Sequence, residues 1–546
     1  MSLIPSHLRV AGALRDVFKE GYSHQHLRAD LLAGLVVGLV AIPLSMALAI
    51  ACGMPPQHGL ATAIVAGGSI ALLGGSRLQV SGPTAAFVVV LAPVVKSYGP
   101  GGLLIATLMA GAVLVIMALG GLGRLIRYIP YPVTVGFTAG IGIVIGGLQV
   151  KELASSLPSA VVGLLTLAVL VLWPRLVRRV PAPLVALTFG SLLAAGLSAW
   201  WPSWTVDTIA TRFASQGGIP AGAPGFVLPW GLPGADGQPL VVDLDLLRAL
   251  IGPAFAIAML GAIESLLSAV VADGLAGTRH DPDGELLGQG IGNLLAPFFG
   301  GFAATGAIAR TATNIRAGAR SPIAAVVHAL FVLLAIMTLA PALGYLPMPS
   351  LAAVLMMTAW NMSELPHALH TLRRAPRADS VVLLTCLVLT VAADMVVAVA
   401  TGVVLASLLF MRRMAEVTDF RLITAPQNDE RVGTAGMPDG VLVYQIAGPL
   451  FFGAAQRAMQ QLDVIGDRYW AVVLDLADVP AIDATALANL ESAVSRLARG
   501  TTLVVLSGAR PQVAEALGRH GLAKRWGHVA VCGGLDEAAT LLRDCT

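Results

Sequence analysis

Long stretches of apolar residues recur along most of the chain. Leu31 to Ala51, Leu103 to Leu119 and Val381 to Ala393 are examples. A helix of about 20 apolar residues spans the hydrocarbon core of a bilayer. Only 12% of the 546 residues are charged, against roughly 25% in soluble domains, so a surface exposed entirely to water is excluded. The region from Ala29 to Arg413 is therefore predicted to lie in the membrane, where short turns leave room for about fourteen helices.

Composition changes after this region. Polar residues predict a linker over 414–438, and a second domain is predicted over 439–546. Within that domain the patterns predict strands at 441–446, 471–476 and 502–507, and helices at 484–499 and 512–518. Alternating strands and helices are typical of a small α/β fold. The predicted domains are thus an N-terminal segment over 1–29, a transmembrane domain over 30–413, this linker and the α/β domain.

The arginines predict the orientation of the membrane domain. If the N-terminus is cytoplasmic, the inner loops carry most of them, whereas the long outer segment from Trp201 to Leu247 has Arg212 as its one basic residue. The inner residues are Arg77, Arg124, Arg127, Arg175, Arg178, Arg179, Arg279, Arg316, Arg320, Arg373, Arg374, Arg377, Arg412 and Arg413. Cytoplasmic loops carry an excess of Lys and Arg. We therefore expect a multi-pass protein of the bacterial inner membrane with both termini in the cytoplasm.

Two glycine-containing interruptions fall at matching places in the two halves of the membrane domain. The segment from Ser81 to Phe87 precedes a helical stretch of only about a dozen residues, which is too short to span the bilayer alone. The segment from Thr305 to Thr311 opens a comparable stretch. Because Pro83 suits the first turn of a helix, each segment is predicted to start a half-helix within the membrane. The alternative is a pair of glycine-rich kinks that only allow close packing.

Paired half-helix starts indicate an anion transporter. The start of a helix presents free amide donors and a partial positive charge, both of which favour an anion. Interrupted helices at corresponding positions in two halves mark the binding sites of transporters. A small anionic substrate is therefore predicted. The sequence contains no enzyme motif of the GxxxxGK, HExxH or GxSxG type, so we expect no catalytic residues, cofactor or metal centre. A net charge of +3 argues against nucleic acid as a partner.

Glu264 lies within a long apolar stretch, and Ser268 follows one turn later on the same helix face. An isolated carboxylate in the membrane must be protonated, paired or bound to a cation. Arg310 is the natural partner in the sequence, and a proton or Na⁺ are the alternatives. A structural interpretation, in which Glu264 only links helices, remains open. The favoured prediction is that Glu264 and Ser268 bind a coupling ion, either a proton or Na⁺.

These motifs together resemble the sulfate permease family, also called solute carrier family 26. The residues that carry the resemblance are Ala41-Ile42-Pro43, Ser81 to Thr84, Glu264, Ala309-Arg310 and Ala317 to Pro322, with the C-terminal domain. The resemblance covers nearly the whole chain. It implies an α-helical membrane protein of fourteen segments in two inverted repeats of seven, divided into a core and a gate that move as an elevator. It also implies a homodimer and a C-terminal α/β STAS domain.

The resemblance also implies the site residues, with some departures. Leu44 and Leu48 stand where many anion-selective relatives have Gln and an aromatic residue, and Thr84 replaces an aromatic residue. The predicted substrate-binding residues are Leu44, Leu48, Ser81, Thr84, Ala85, Ala86, Ile308, Ala309 and Arg310. In the STAS domain, Thr485 stands where related bacterial domains are phosphorylated, although an ordinary helix cap at Asp483 explains the motif equally well.

The predicted function is proton-coupled uptake of C4-dicarboxylates such as succinate or fumarate. Ser81 to Val89, Gly121 to Gly140 and Ala359 to Glu364 look most like members of the family that carry these substrates. The alternative within the same class is bicarbonate, sulfate or another inorganic anion, because a site lined by backbone amides reads charge more than shape. An alternative of a different class is a membrane-anchored signalling or scaffolding protein whose STAS domain binds a cytoplasmic partner such as acyl carrier protein.

Overall fold

The computed structural model describes residues 8–177, 180–216, 218–393, 395–424, 437–465, 469–499, 502–521 and 528–545. The chain divides into two compact units, Met1–Val403 and Val404–Thr546. Eight helices in the described ranges are long and apolar enough to cross a membrane. The predicted helical membrane fold with a C-terminal α/β domain is confirmed by this architecture.

The first half of the membrane unit contains helices α1 (Gly12–Glu20), α2 (His24–Ala51), α3 (Pro56–Leu73), α4 (Ala85–Leu119), α5 (Tyr131–Leu153), α6 (Leu157–Leu176) and α7 (Ala182–Trp200), with the short strand β1 (Ser81–Gly82) before α4. Helix α4 is broken at Gly99, which has φ 72° and ψ −178°. A Cβ at Gly99 would lie 2.2 Å from the backbone of Gly234, so only glycine fits this positive-φ break. The break makes α4 two segments, the first of which is the half-helix predicted from the sequence.

The second half repeats this arrangement. It contains α8 (Ile209–Arg212), α9 (Leu244–Ala276), α10 (Pro282–Leu295), α11 (Ile308–Arg316), α12 (Ile323–Leu343), α13 (Met348–Ser363), α14 (Leu365–Arg374), α15 (Arg377–Ala392) and α16 (Met395–Val417), with strand β2 (Thr305–Gly306) before α11. Counting α4 twice, helices α2 to α7 supply seven segments, and α9 to α13 with α15 and α16 supply seven more. A strand followed by a half-helix occupies the same place in each set of seven.

The membrane helices form two packed sets. Helices α2, α3, α4 and α9 to α12 pack on one another, and we call them the core set. Helices α5, α6, α7, α13 and α15 pack on one another, and we call them the gate set. The two sets meet where α2 lies against α13 and α4 against α5. Both strands and both half-helices belong to the core set, so the predicted site residues are carried by that set.

Contacts group the charged loop residues as the predicted sidedness requires. Arg77 pairs with Glu20, and Arg124 lies 3.3 Å from Asp283, all in segments predicted to be cytoplasmic. Arg212 lies 3.0 Å from Glu152, both in segments predicted to be on the outer side. The helix parity behind the predicted orientation therefore agrees with which ends of the helices lie together, while the orientation itself remains a prediction.

The second unit is a five-stranded sheet with helices on both faces. Its strands are β3 (Asp419–Thr424), β4 (Val441–Ala447), β5 (Ala471–Asp478), β6 (Leu503–Ser507) and β7 (Val529–Cys532), in that spatial order, and its helices are α17 (Phe452–Ile465), α18 (Ala484–Arg499), α19 (Pro511–His520) and α20 (Leu535–Asp544). Strand β3 is antiparallel to β4, and the remaining neighbours are parallel. Leu442, Leu474 and Leu506 pack on one face against α17 and α18, while Val443 and Val473 face α20.

The predicted linker over 414–438 is partly wrong. Helix α16 continues to Val417, and Asp419–Thr424 forms the edge strand β3. The polar residues of this segment alternate with apolar ones, as in a strand exposed on one face. Phe420 on the covered face stacks on Tyr444 at a centroid distance of 6.3 Å. Residues 425–436 lie outside the described ranges.

Asp30 ties the start of α2 to the loop before α12. Its carboxylate accepts the backbone N–H groups of Arg320 and Ser321 at 2.6 and 3.1 Å, and the hydroxyls of Ser321 and Tyr22. Asp30 is fully buried. Burial, and then the hydrogen bond to Asp30, raises the pKa of Tyr22 to about 12. Four donors around one buried carboxylate indicate a strong structural link, because hydrogen bonds to charged groups contribute more than neutral ones.

Replacing Asp30 by alanine should destabilise the membrane unit. The Asp30→Ala variant leaves two backbone N–H groups and two hydroxyls without their acceptor, at a cost of about 3 kcal/mol. We expect a melting temperature lower by roughly 5 °C in detergent, followed by intrinsic fluorescence. Asp245→Ala is the control, since the Asp245 side chain is 88% exposed. Equal melting temperatures for the two variants would show that the Asp30 contacts contribute nothing to stability.

Candidate functional site

Strands β1 and β2 bring the two half-helix starts together. Ser81 pairs with Gly306 and Gly82 with Thr305 in an antiparallel register. Helix α4 starts three residues after Gly82, and α11 starts two residues after Gly306. Neither start is capped by the side chain of the preceding residue, Thr84 or Ala307. The first-turn amides of both helices thus remain available to a ligand.

Arg310 reaches from the second half-helix to the first. Its side chain is 2% exposed, and its Nη2 donates a hydrogen bond to the carbonyl oxygen of Pro83. Its Nε and Nη1 have no hydrogen-bond partner among the described residues. The guanidinium lies against Gly82, where an added Cβ would come within 2.7 Å of Nη1. A buried guanidinium with unused donors next to a helix start is suited to bind an oxyanion.

Glu264 lies on the other side of the α4 start. Its carboxylate is 8% exposed and accepts a hydrogen bond of 3.0 Å from the hydroxyl of Thr84. No ion pair joins Glu264 to Arg310 in the part of the chain that the structure describes, so the expectation that these two residues pair is wrong. Arg310 is engaged with the backbone of Pro83 instead. The site therefore holds one cation and one carboxylate that do not neutralise each other by direct contact.

Ser268 does not share the position of Glu264. It is fully buried, and its Oγ lies 3.1 Å from Oγ1 of Thr311 on α11. Thr311 Oγ1 also accepts the backbone N–H of Val80 at 3.1 Å. Ser268 and Thr311 thus connect α9, α11 and the residue before β1. This contact gives Ser268 a protein partner, whereas its predicted role with a coupling ion remains a prediction.

The remaining predicted residues fall into two groups. Ile308 and Ala309, on the first turn of α11, are exposed, and Thr84 and Leu44 are partly exposed. Ser81, Ala85, Ala86 and Leu48 are buried. The first group is placed to contact a ligand directly. Residues of the second group instead support the backbone around the half-helix starts.

The sequence analysis missed a buried polar network behind β1. Glu285 on α10 is surrounded by Gln79, Ser265 and Gln289, whose side chains donate hydrogen bonds of 2.9 to 3.2 Å to its Oε1. Asn293 continues the same face of α10 and both donates to and accepts from the backbone of Ala304. The signal was present in the sequence: Glu285, Gln289 and Asn293 are spaced four residues apart, and such residues share one helix face.

Thr485 in the second unit is exposed at the start of α18. Asp483 accepts the backbone N–H of Ala486 at 2.7 Å. This geometry is that of an N-cap, which matches the helix-cap interpretation of the Asp483 motif. Among the described residues there is no cluster of three or more metal-binding side chains.

Comparison with known proteins gives consistent matches to both units. The sequence pattern of the "Sulfate permease family" matches residues 27–156 and 152–386, and that of the "STAS domain" matches residues 435–530. The chain is 38% identical to the "Putative sulfate transporter YvdB" of Bacillus subtilis over 92% of this chain and 95% of that protein. It is 30% identical to the "Bicarbonate transporter BicA" of Picosynechococcus sp. over 92% of each chain.

Solved structures show the same fold. The transmembrane domain of a cyanobacterial bicarbonate transporter, BicA, matches with a TM-score of 0.59 and 26% identity, over 70% of this chain and 98% of that one. The murine Solute Carrier 26 family member A9 anion transporter, in an inward-facing state, matches with a TM-score of 0.79 over 98% of this chain and 94% of that one. Its sequence identity is 17%, so this second match supports the fold alone.

Arg310 should contribute far more to anion binding than Arg320. Arg310 is buried beside a helix start with unused donors, whereas the side chain of Arg320 is exposed. Charges in a low-dielectric site interact more strongly than screened surface charges. For purified protein titrated with sulfate in a thermal-shift assay, we expect Arg310→Ala to weaken apparent affinity about tenfold or more, or about 1.4 kcal/mol. The matched control Arg320→Ala should stay within about twofold. Equal losses in the two variants would exclude a site at the start of α11.

Proposed function

The chain belongs to the sulfate permease family and is an anion transporter, and from that premise we propose that it carries a small inorganic oxyanion, sulfate or bicarbonate, in symport with protons. The observation that carries this proposal is the guanidinium of Arg310, buried against the start of the other half-helix with two nitrogen donors unused. Two relatives named above are described as sulfate and bicarbonate transporters.

The substrate would lie between the starts of α4 and α11. The first-turn amides of both helices would donate to the anion, and Arg310 would add charge-assisted hydrogen bonds. Leu44 and Ile308, which are partly or largely exposed, would form apolar walls. Most of the recognition then comes from backbone groups and one cation. A site of this kind suits a compact oxyanion, whose charge is spread over several equivalent oxygen atoms.

Coupling would occur at Glu264. Its one printed protein contact is the neutral hydroxyl of Thr84, so no protein cation in the described residues balances its charge by direct contact. An oxyanion between the helix starts repels the ionised carboxylate and binds more tightly once Glu264 carries a proton. Linkage is reciprocal, so the bound anion also favours the bound proton. Substrate and proton would therefore cross together, carried by the core set moving against the gate set as an elevator.

Other features of the protein follow from the same proposal. The unit would sit in the bacterial inner membrane with both termini cytoplasmic, as a homodimer whose STAS domain takes a cytoplasmic partner such as acyl carrier protein. The predicted preference for succinate or fumarate stays a prediction, which transport of a dicarboxylate would test directly. A purely scaffolding role is disfavoured, because the half-helix starts keep their uncapped amides and Arg310 its unused donors.

The Glu264→Gln variant should bind anion but lose gradient-driven accumulation. Glutamine keeps the shape of a protonated carboxyl group and cannot release a proton. We would measure uptake of labelled sulfate into proteoliposomes in Na⁺-free buffer under an inward proton gradient, with bicarbonate and succinate as parallel substrates. Wild type should concentrate sulfate, and the variant should only equilibrate it, a loss of about tenfold at a gradient of one pH unit.

The matched control for this experiment is Asp273→Asn on the same helix. Asp273 lies near the end of α9 and accepts from Thr278 and His280, away from the half-helix starts. It should leave accumulation unchanged. Undiminished accumulation by Glu264→Gln would overturn the coupling role, an absolute need for Na⁺ would identify Na⁺ as the coupling ion, and accumulation of succinate without sulfate would favour the dicarboxylate prediction.

Removing the STAS domain should leave anion binding intact. Both half-helices and Glu264 lie within the first unit, and β3 forms part of the second unit's sheet. We therefore expect a chain ending at Val417 to bind sulfate with an affinity within about threefold of wild type, a difference of about 0.7 kcal/mol, while turnover or abundance changes. The measurement is the thermal-shift titration on protein that elutes as a single species in size-exclusion chromatography. Loss of binding in such a species would place part of the site in the second unit.

A further inference from the structure

We propose that Glu285 is the positioning residue of the anion site: its carboxylate fixes β1, and through β1 the start of α4, in the geometry that binds the anion. The inference rests on the proposed function, because it concerns the same site. Glu285 lies on α10, is 1% exposed, and is not among the residues placed to touch a ligand. Its role follows from what its two oxygen atoms hold.

The first oxygen holds the loop that leads into β1. Oε2 of Glu285 accepts the backbone N–H groups of Gly75 and Ser76, each at 3.0 Å. This loop joins α3 to β1 and is buried at both residues. Two amide donors to one carboxylate oxygen fix the direction in which the chain enters β1. Without this acceptor, both N–H groups would be buried without a partner.

The second oxygen holds side chains that contact β1 and α9. Oε1 accepts from Nε2 of Gln79, the hydroxyl of Ser265 and Nε2 of Gln289, at 2.9, 3.2 and 3.1 Å. Gln289 also donates to the hydroxyl of Ser81 at 2.9 Å. Ser81 is the first residue of β1, and Ser265 follows Glu264 directly on α9. One carboxylate therefore orients both the strand before Thr84 and the helix turn that carries Glu264.

Glycines allow this close approach. A Cβ on Gly74 would lie 2.8 Å from Oε2 of Glu285, and a Cβ on Gly75 would lie 2.2 Å from the carbonyl oxygen of Asp281. A Cβ on Gly288, one turn along α10, would lie 2.7 Å from the Cα of Gly74. Any larger residue would push the loop away from α10. The backbone is thus shaped around the carboxylate of Glu285.

The five donors distinguish a carboxylate from its neutral isosteres. Every printed hydrogen bond of Glu285 is one that it accepts. An ionised carboxylate is an acceptor only, whereas a glutamine side chain carries an NH₂ group with two donors. In Glu285→Gln, one oxygen position becomes an NH₂ group that faces existing donors. The backbone of β1 must then move, and the contact between Thr84 and Glu264 moves with it.

The test measures sulfate uptake kinetics in proteoliposomes. Glu285→Gln is expected to raise the KM for sulfate about tenfold while the maximal rate per folded protein changes less than about twofold. The exchange Glu285→Gln with Gln289→Glu returns one carboxylate to the network and is expected to recover most of the KM change. Gln289→Met keeps the side-chain volume, removes only the link from Glu285 to Ser81, and is expected to raise KM about threefold; it covers the case in which Glu285→Gln does not fold.

The matched control is Asp283→Asn, two residues earlier on α10. Asp283 is fully buried and accepts the N–H of Gly123, but it does not contact β1. A purely structural loss is expected to lower its melting temperature and leave KM unchanged. An unchanged KM in folded Glu285→Gln, or in Gln289→Met where the first variant does not fold, would overturn the proposal. So would an exchange variant that leaves KM at the single-variant value.

A second readout separates this proposal from the proposed substrate. The rate at which a maleimide labels Thr84→Cys, in a chain whose exposed Cys545 is replaced by serine, reports the position of the α4 start without transport. Glu285→Gln is expected to change that rate severalfold. If wild type carries no sulfate but the labelling rate changes, the proposed substrate fails and the positioning role stands. An unchanged labelling rate would overturn the positioning role even where sulfate is carried.

Discussion

The antiparallel pairing of β1 with β2 is the contact on which the membrane unit depends. A bilayer offers no water to unpaired backbone groups, so a helix can be interrupted at membrane depth only where the protein itself supplies partners. Ser81 and Gly82 find them in Gly306 and Thr305, and Ala307 N–H donates to the carbonyl of Val80 at 2.9 Å. Most of the interruption is satisfied by these pairs. What remains unpaired is the first turn of each half-helix, where an anion can bind.

The loops that lead to the two strands are held by the opposite repeat. Helix α10 of the second half holds Gly75 and Ser76 through Glu285. Helix α3 of the first half holds the corresponding loop before β2, because the hydroxyl of Thr62 accepts the N–H of Phe302 at 2.8 Å. Each repeat therefore positions the half-helix of the other, and neither half can form the site alone. The two sides differ in one respect, since one uses a carboxylate and the other a neutral hydroxyl.

Much of this architecture was predictable from local sequence signals. The glycine and proline breaks predicted both half-helices, and alternating apolar residues predicted strands β4 to β6, because these features depend on residues close together in the chain. The partners of Glu264 and Arg310 were not predictable in this way. They depend on side-chain direction across a packed bundle, where Thr84 and the carbonyl of Pro83 compete with the obvious ion pair. Strand β3 was missed for a related reason: its pairing with β4 joins segments separated by a stretch of polar residues.

The separation of Glu264 from Arg310 is what allows the site to work as proposed. A direct ion pair between them would use the donors of Arg310 and the acceptors of Glu264 on each other, and a buried pair of this kind is costly to break. Gly82 prevents this outcome by admitting the guanidinium against the backbone of the first half-helix, where the Pro83 carbonyl accepts one of its hydrogen bonds. Thr84 meanwhile occupies the carboxylate with a neutral donor. The cation is thereby left for the substrate anion and the carboxylate for the coupling proton, and each ligand balances the charge that the other leaves uncompensated.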